Sequence, residues 1–221
     1  MKIAKEGFPT IALVGVVVGF ICLLSWLYLN QWVATGLSLL LAPIWFLSIY
    51  FFRDPERSLP SHIGANDIIS PADGKVVIVK EVEESEYIKS KAIQISIFLS
   101  PLNVHINRNP LSGSLEYLHY MPGKYLMAWD ERASMDNEQA KFGVKHTSGH
   151  KVLFRQITGF LARRIVYYLS EGDQLDRGER FGLMKFGSRM DVVVPIDSHI
   201  LVKEGDSTVA GVSLIAQLPS S

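Results

Sequence analysis

Four short segments of the chain gather residue types that can do chemistry. Ser70-Pro71-Ala72-Asp73-Gly74 sets a carboxylate beside a glycine between apolar runs. On its own that pattern reads as a hairpin turn. In Phe98-Leu99-Ser100-Pro101-Leu102-Asn103-Val104-His105-Ile106-Asn107-Arg108-Asn109-Pro110, an imidazole ends an apolar run and enters a polar turn. Asn103, His105, Asn107 and Arg108 supply donors and a titratable ring suited to a carboxylate or phosphate. Taken alone, His105 is more simply an exposed strand-end histidine. Lys145-His146-Thr147-Ser148-Gly149-His150 spaces two histidines at i, i+4. No HExxH pattern surrounds them and Thr-Ser-Gly looks like a turn, so no metal is expected here. Phe186-Gly187-Ser188-Arg189-Met190-Asp191 opens the run Val192-Val193-Val194-Pro195. Read alone, it is a turn ahead of a strand.

The elements that must position these segments follow from how charge is distributed. The 221 residues carry 22 basic and 22 acidic groups, so there is no basic excess of the kind nucleic-acid binding shows. Between Glu6 and Arg53 lie 46 consecutive residues without Asp, Glu, Lys or Arg. Three of the 44 charges precede this stretch, and the other 41 fall in the last 169 residues. The reading is a membrane anchor over residues 1–52 and a water-facing domain over 53–221. One spanning helix needs about 20 apolar residues, so the stretch holds two, expected at 11–29 and 33–52 around a turn at Leu29-Asn30-Gln31-Trp32. Lys2, Lys5, Arg53 and Arg57 flank the hairpin and none lies in its turn, which places both ends in the cytoplasm. A signal peptide is disfavoured because a second apolar run follows at once. A re-entrant hairpin is the other alternative. The single cysteine, Cys22, excludes an intrachain disulfide framework and a cysteine-based zinc site.

Beyond the anchor, residues 53–70 read as a linker. Strands are expected at 75–82, 92–99, 111–120, 151–157, 190–195, 199–203 and 213–217. Residues 160–169 suit either a short helix or a buried strand. The fold class is a mainly β (α+β) domain, β-sandwich-like with few helices, behind a transmembrane helical hairpin. A faint echo between Asp73–Val77 and the stretch 199–211 favours a non-catalytic, membrane-anchored β binding module.

In combination the motifs are far more specific, and the chain resembles the phosphatidylserine decarboxylase family in its short bacterial and archaeal branch. The resemblance runs from Phe51-Phe52-Arg53-Asp54-Pro55-Glu56-Arg57 through the Asp73, His105 and His146 segments. It includes Arg132-Ala133-Ser134-Met135-Asp136-Asn137-Glu138 and Gln156-Ile157-Thr158-Gly159-Phe160-Leu161-Ala162-Arg163-Arg164, and ends at Gly187-Ser188-Arg189. It implies a proenzyme that cuts itself between Gly187 and Ser188 into a β chain, 1–187, and an α chain, 188–221. Ser188 then becomes a covalent pyruvoyl group, the cofactor, which holds the serine headgroup amine as a Schiff base while CO₂ leaves. The substrate implied is a serine-headed phospholipid: phosphatidylserine, or archaetidylserine by the same chemistry. The partners are that lipid and the two chains of one proenzyme, with homo-oligomerisation left open. Asp73 matches the family aspartate associated with self-cleavage. His105 matches the histidine associated with headgroup recognition or decarboxylation. Where long family members carry a second histidine, this chain has Arg108, which cannot act as a base at neutral pH. The base is therefore open among His105, His146 and Asp73, with His146 the first replacement for the missing histidine. Asn103 and Arg108 are expected to bind substrate.

Overall fold

The computed structural model describes residues 2–124, 136–159, 165–184 and 188–219. Gly187, residues 132–135 and residues 160–164, on which some sequence expectations fall, lie outside them. The chain divides into two compact units, residues 1–56 and 57–221.

The first unit is a helical hairpin. Helix α1 (Phe8–Tyr28) and helix α2 (Gln31–Phe51) are each 21 residues long, about 32 Å at 1.5 Å per residue and enough to cross a hydrocarbon core. Both begin a few residues earlier than the sequence suggests, because Pro9 fits the first turn of α1 and Asn30 caps α2. The Asn30 side chain accepts from the Trp32 amide at 2.9 Å. The turn shrinks to Leu29 and Asn30. Trp45 Nε1 donates to the Ile11 carbonyl at 3.2 Å and links the helices. Leu13, Val16, Phe20, Leu39, Leu40 and Phe46 point outward, a surface that suits lipid rather than water. Strands β1 (Lys2–Ile3) and β2 (Arg53–Asp54) pair across the hairpin's ends.

The second unit is β throughout. Its strands are β3 (Asp67–Ile69), β4 (Gly74–Glu84), β5 (Ser90–Leu99), β6 (Ile106–Arg108), β7 (Gly113–Met121), β8 (Gln139–Lys145), β9 (Lys151–Ile157), β10 (Ile165–Tyr167), β11 (Gln174–Leu175), β12 (Arg180–Met184), β13 (Ser188–Pro195), β14 (His199–Ile200), β15 (Ser207–Thr208) and β16 (Leu214–Gln217). Eight form one curled antiparallel sheet in the order β11-β7-β8-β9-β13-β5-β4-β15. Two three-stranded sheets, β10-β12-β6 and β14-β16-β3, complete the unit. The core is formed by the alternate residues of the large sheet's inner face, such as Ile95, Ile97, Phe142, Phe154, Met190 and Val192, with Phe181 of β12 and Ile215 of β16. Phe142, Phe154 and Phe181 pack as an aromatic cluster with centroids 5.1–5.3 Å apart.

Some expectations are corrected. Strand β8 escapes the sequence reading because Lys141 and Gly143 interrupt its apolar residues. Lys141 is nevertheless buried, ion-paired to Glu86 at 2.5 Å. Residues 165–167 are strand, not helix. The expected linker 53–70 is partly ordered. Arg177 Nη1 binds the carbonyls of Gly64 at 2.8 Å and Asp67 at 2.6 Å, and β3 joins a sheet. Asp73-Gly74 is not a hairpin turn. It leads directly into β4, whose partners are β5 and β15.

Candidate active site

Strand register determines which candidate residues meet. Ser188 opens β13 opposite Leu99 of β5. On the other side Arg189 pairs with Ile157 of β9, so Ser188 stands opposite Thr158. Ile157 pairs in turn with Gln139 of β8, so Thr158 stands opposite Glu138. Lys75 of β4 pairs with Phe98, which brings Gly74 level with Leu99. Gly74, Leu99, Ser188, Thr158 and Glu138 thus form one row across five strands. Side chains alternate along a strand. Ser188 therefore shares the inner face with Met190 and Val192, and Glu138 shares it with Ala140.

Ser188 is fully buried, and among the described residues its hydroxyl has no hydrogen-bond partner. A buried orphan hydroxyl is uncommon and points to a role beyond packing. Residues 185–187 join it to Met184, whose amide donates to the His105 carbonyl at 3.3 Å. His105 therefore lies at this end of the sheet. The loop before it is built by Asn103, whose Oδ1 accepts from the Ser100 amide at 2.9 Å and the Ser100 hydroxyl at 2.8 Å. His105 Nδ1 lies 3.0 Å from the Asn103 carbonyl. A carbonyl only accepts, so Nδ1 carries the proton and Nε2 of the neutral ring holds the lone pair. Asn103, expected to touch substrate, here shapes the turn and fixes this tautomer.

Asp73 sits just before Gly74, about two strand spacings or 10 Å from Ser188. A Cβ on Gly74 would lie 2.2 Å from the Phe98 carbonyl oxygen, so only glycine lets β4 start this close to β5. The Asp73 carboxylate receives a two-pronged contact from Arg57, at 2.5 Å and 2.7 Å, and the Ala210 amide at 2.8 Å. Arg57 also donates to the Ala210 carbonyl at 2.8 Å. Sequence reading used Arg57 as a membrane-flanking charge and as part of the Phe51–Arg57 segment of the resemblance, not as a partner of Asp73. Its fork on Asp73 is visible only in three dimensions. Breaking a largely buried pair by removing one partner costs about 3–5 kcal/mol. Arg57→Ala should lower the denaturant midpoint accordingly, and Arg57→Lys, which keeps the charge but loses the fork, should recover part of that loss.

Two further expected site residues are engaged by other contacts. Arg108 is at the far end of β6, with Nη1 on the Gly178 carbonyl at 2.8 Å and its side chain packed against Gly211. Gly211 has φ +76°, so it serves both the turn and that close approach. His146 lies farther along the sheet. It follows Lys145, which pairs with Lys151, six residues along β9 from Ile157. That is about 20 Å from the Ser188 row. Its Nδ1 accepts from the Ser148 amide at 3.2 Å and lies 2.7 Å from the Ser148 hydroxyl, while its ring also bonds the Ala65 backbone. Both nitrogens hold loops in place.

Burial lowers the His146 pKa, the Ala65 contact opposes this, and the Arg177 and His150 charges lower it further. The unfolded ring takes a proton below about pH 6.5, whereas the folded ring resists it. Stability from His146 is therefore present above that pH and is lost as pH falls toward the folded pKa. The melting temperature should drop between about pH 7.5 and 5.5, and less so in His146→Asn. An equal drop in both proteins would exclude His146 as the cause.

The outer face of β13 carries a second feature absent from the sequence reading. Arg189 and Asp191 are fully buried, with Arg189 Nε 2.9 Å from Asp191 Oδ1. Arg155 Nη2 bridges Asp191 Oδ2 and Gln94 Oε1, both at 2.9 Å. This network ties β13 to β9 and β5 directly behind Ser188.

A family model described as phosphatidylserine decarboxylase matches residues 46–216. The chain is 45% identical to a phosphatidylserine decarboxylase proenzyme of Symbiobacterium thermophilum, over 98% of this chain and 96% of that one. It is 48% identical to the proenzyme of Amoebophilus asiaticus, over 85% and 81%. For the proenzyme of Cytophaga hutchinsonii the figure is 42%, over the full length of both. With that extent of matching in sequence, the chain belongs to the phosphatidylserine decarboxylase family.

Proposed function

We propose that this protein is a membrane-anchored proenzyme that cuts itself between Gly187 and Ser188 and then decarboxylates phosphatidylserine to phosphatidylethanolamine and CO₂. The observation that carries this is the Ser188 hydroxyl, buried at the head of β13 and without a partner among the described residues. Its Oγ attacks the Gly187 carbonyl carbon, the C–N bond breaks, and the amide becomes an ester. Loss of the Ser188 α-proton expels the β-chain carboxylate and leaves a dehydroalanine end. Water then converts this end to a ketone with release of ammonia. The pyruvoyl group so formed supplies an electron sink for the leaving carboxylate's electrons.

The chain's own residues do the rest. Asp73 takes the Ser188 proton during cleavage. Three of its roughly four lone-pair sites are occupied by donors and one remains to accept. His105 handles the proton of the decarboxylation through Nε2. The buried Arg189–Asp191–Arg155 network holds β13 in register once its N-terminus is free. The proposed anchor is residues 1–52 and the catalytic domain 53–221, which Lys2, Lys5, Arg53 and Arg57 place on the cytoplasmic side of the cell membrane. The test is conversion of phosphatidylserine in mixed micelles, with archaetidylserine alongside. Conversion of the ether lipid alone would move the substrate assignment. Conversion of neither by a correctly cut enzyme would defeat it.

A further inference from the structure

Glu138 stands in the Ser188 row, on the same inner face and two strands away, and the steps described above do not use it. It is 7% exposed. Its Oε1 accepts from the Tyr120 hydroxyl at 2.7 Å. Its Oε2 is buried and has no hydrogen-bond partner among the described residues. No cation among them pairs with it. A buried carboxylate with one oxygen unsatisfied is costly, and such groups are normally paired. Thr158 separates it from Ser188 and is itself committed: its amide and its hydroxyl both donate to the Glu138 carbonyl, at 3.0 Å each. The Glu138 backbone is therefore fixed to the strand beside Ser188. Its side chain keeps one oxygen available. Two strand spacings, about 10 Å, separate the two backbones across the row.

We infer that Glu138 is the ammonium-binding residue of the site, holding the primary amine of a serine headgroup through Oε2 beside residue 188. The inference rests on the decarboxylase reading. A serine headgroup carries a phosphate, a carboxylate and one ammonium. The ammonium is the only part that a buried carboxylate attracts, and it is the part that must approach residue 188. Tyr120 fixes the orientation of the carboxylate, and the low dielectric strengthens the pairing.

The test uses the processed full-length enzyme in detergent after borohydride reduction of its keto group, so that binding is read without chemistry. Calorimetry measures glycerophosphoserine, with glycerophosphoglycerol as the amine-free control. Glu138→Gln should weaken glycerophosphoserine at least tenfold and leave the control within twofold. Tyr120→Phe should weaken it by a smaller factor. Equal affinity of Glu138→Gln and wild type for glycerophosphoserine, or equal loss for both probes, would overturn the inference. Should Glu138→Gln fail to cut or fold, Glu138→Asp decides. It should cut and bind glycerophosphoserine at least threefold more weakly, and wild-type affinity would overturn the assignment. A wild-type chain that neither cuts nor decarboxylates would instead defeat the functional reading.

Discussion

Ser188→Ala is expected to remain a single chain of 221 residues, where the wild-type protein is expected to yield fragments of 187 and 34 residues. The reason is chemical: alanine has no oxygen to attack the Gly187 carbonyl, so the ester cannot form. Cysteine and threonine retain a nucleophile and should cut, more slowly. Intact mass in detergent reads the outcome directly. The 34-residue fragment should be lighter than its serine-headed sequence and blocked to Edman sequencing, as a pyruvoyl end requires. Deleting the hydroxyl from a fully buried position leaves a small gap, a change that typically destabilises by about 1 kcal/mol. The variant should therefore fold, and loss of cleavage cannot be attributed to unfolding. An uncut wild-type chain with a cooperative melting transition would leave the membrane-anchored binding module as the better reading.

The second large effect separates two roles. Asp73→Asn should slow self-cleavage by roughly 100- to 10,000-fold, the range for removal of a general base. His105→Gln should cut normally and lose decarboxylation by a similar factor. The geometry supports this division. Asp73 sits one residue before the Ser188 row and is held by Arg57 and the Ala210 amide, which fix the orientation of its carboxylate. His105 has its tautomer set by the Asn103 carbonyl, so that in the neutral ring Nε2 carries the lone pair. Arg57→Ala tests the link between them. It removes the Asp73 fork and should slow cleavage, while decarboxylation by the molecules that do cut should be unaffected. Should His105→Gln remain uncut, the base for cleavage is His105 and Asp73 becomes its positioning residue.

The features that sequence reveals best are local. The 46-residue charge-free run predicts two membrane helices because bilayer thickness translates directly into residue count. The Val- and Ile-rich runs of β4, β5, β9 and β13 are legible because a half-buried strand alternates every second residue. Ser188, Asp73 and His105 stand out because their motifs are contiguous. Strand β8 is harder to see because its buried Lys141 is compensated by Glu86, 55 residues earlier in the chain.

Sequence alone thus determined the two apolar helices and the β class, and it singled out the serine proposed to react, all from properties of neighbouring residues. Register decided the rest. On paper His105 and His146 are both candidate bases, with His146 the first replacement for the missing histidine. Pairing of β8 with β9 sends His146 to the far end of the sheet, and the Met184–His105 contact keeps His105 near Ser188. The same pairing brings Glu138 into the Ser188 row, and the fold of residues 57–73 brings Arg57 onto Asp73. A one-residue slip of β8 would turn Glu138 to the opposite face. Such choices are fixed by packing between strands far apart in the chain, and no local pattern encodes them.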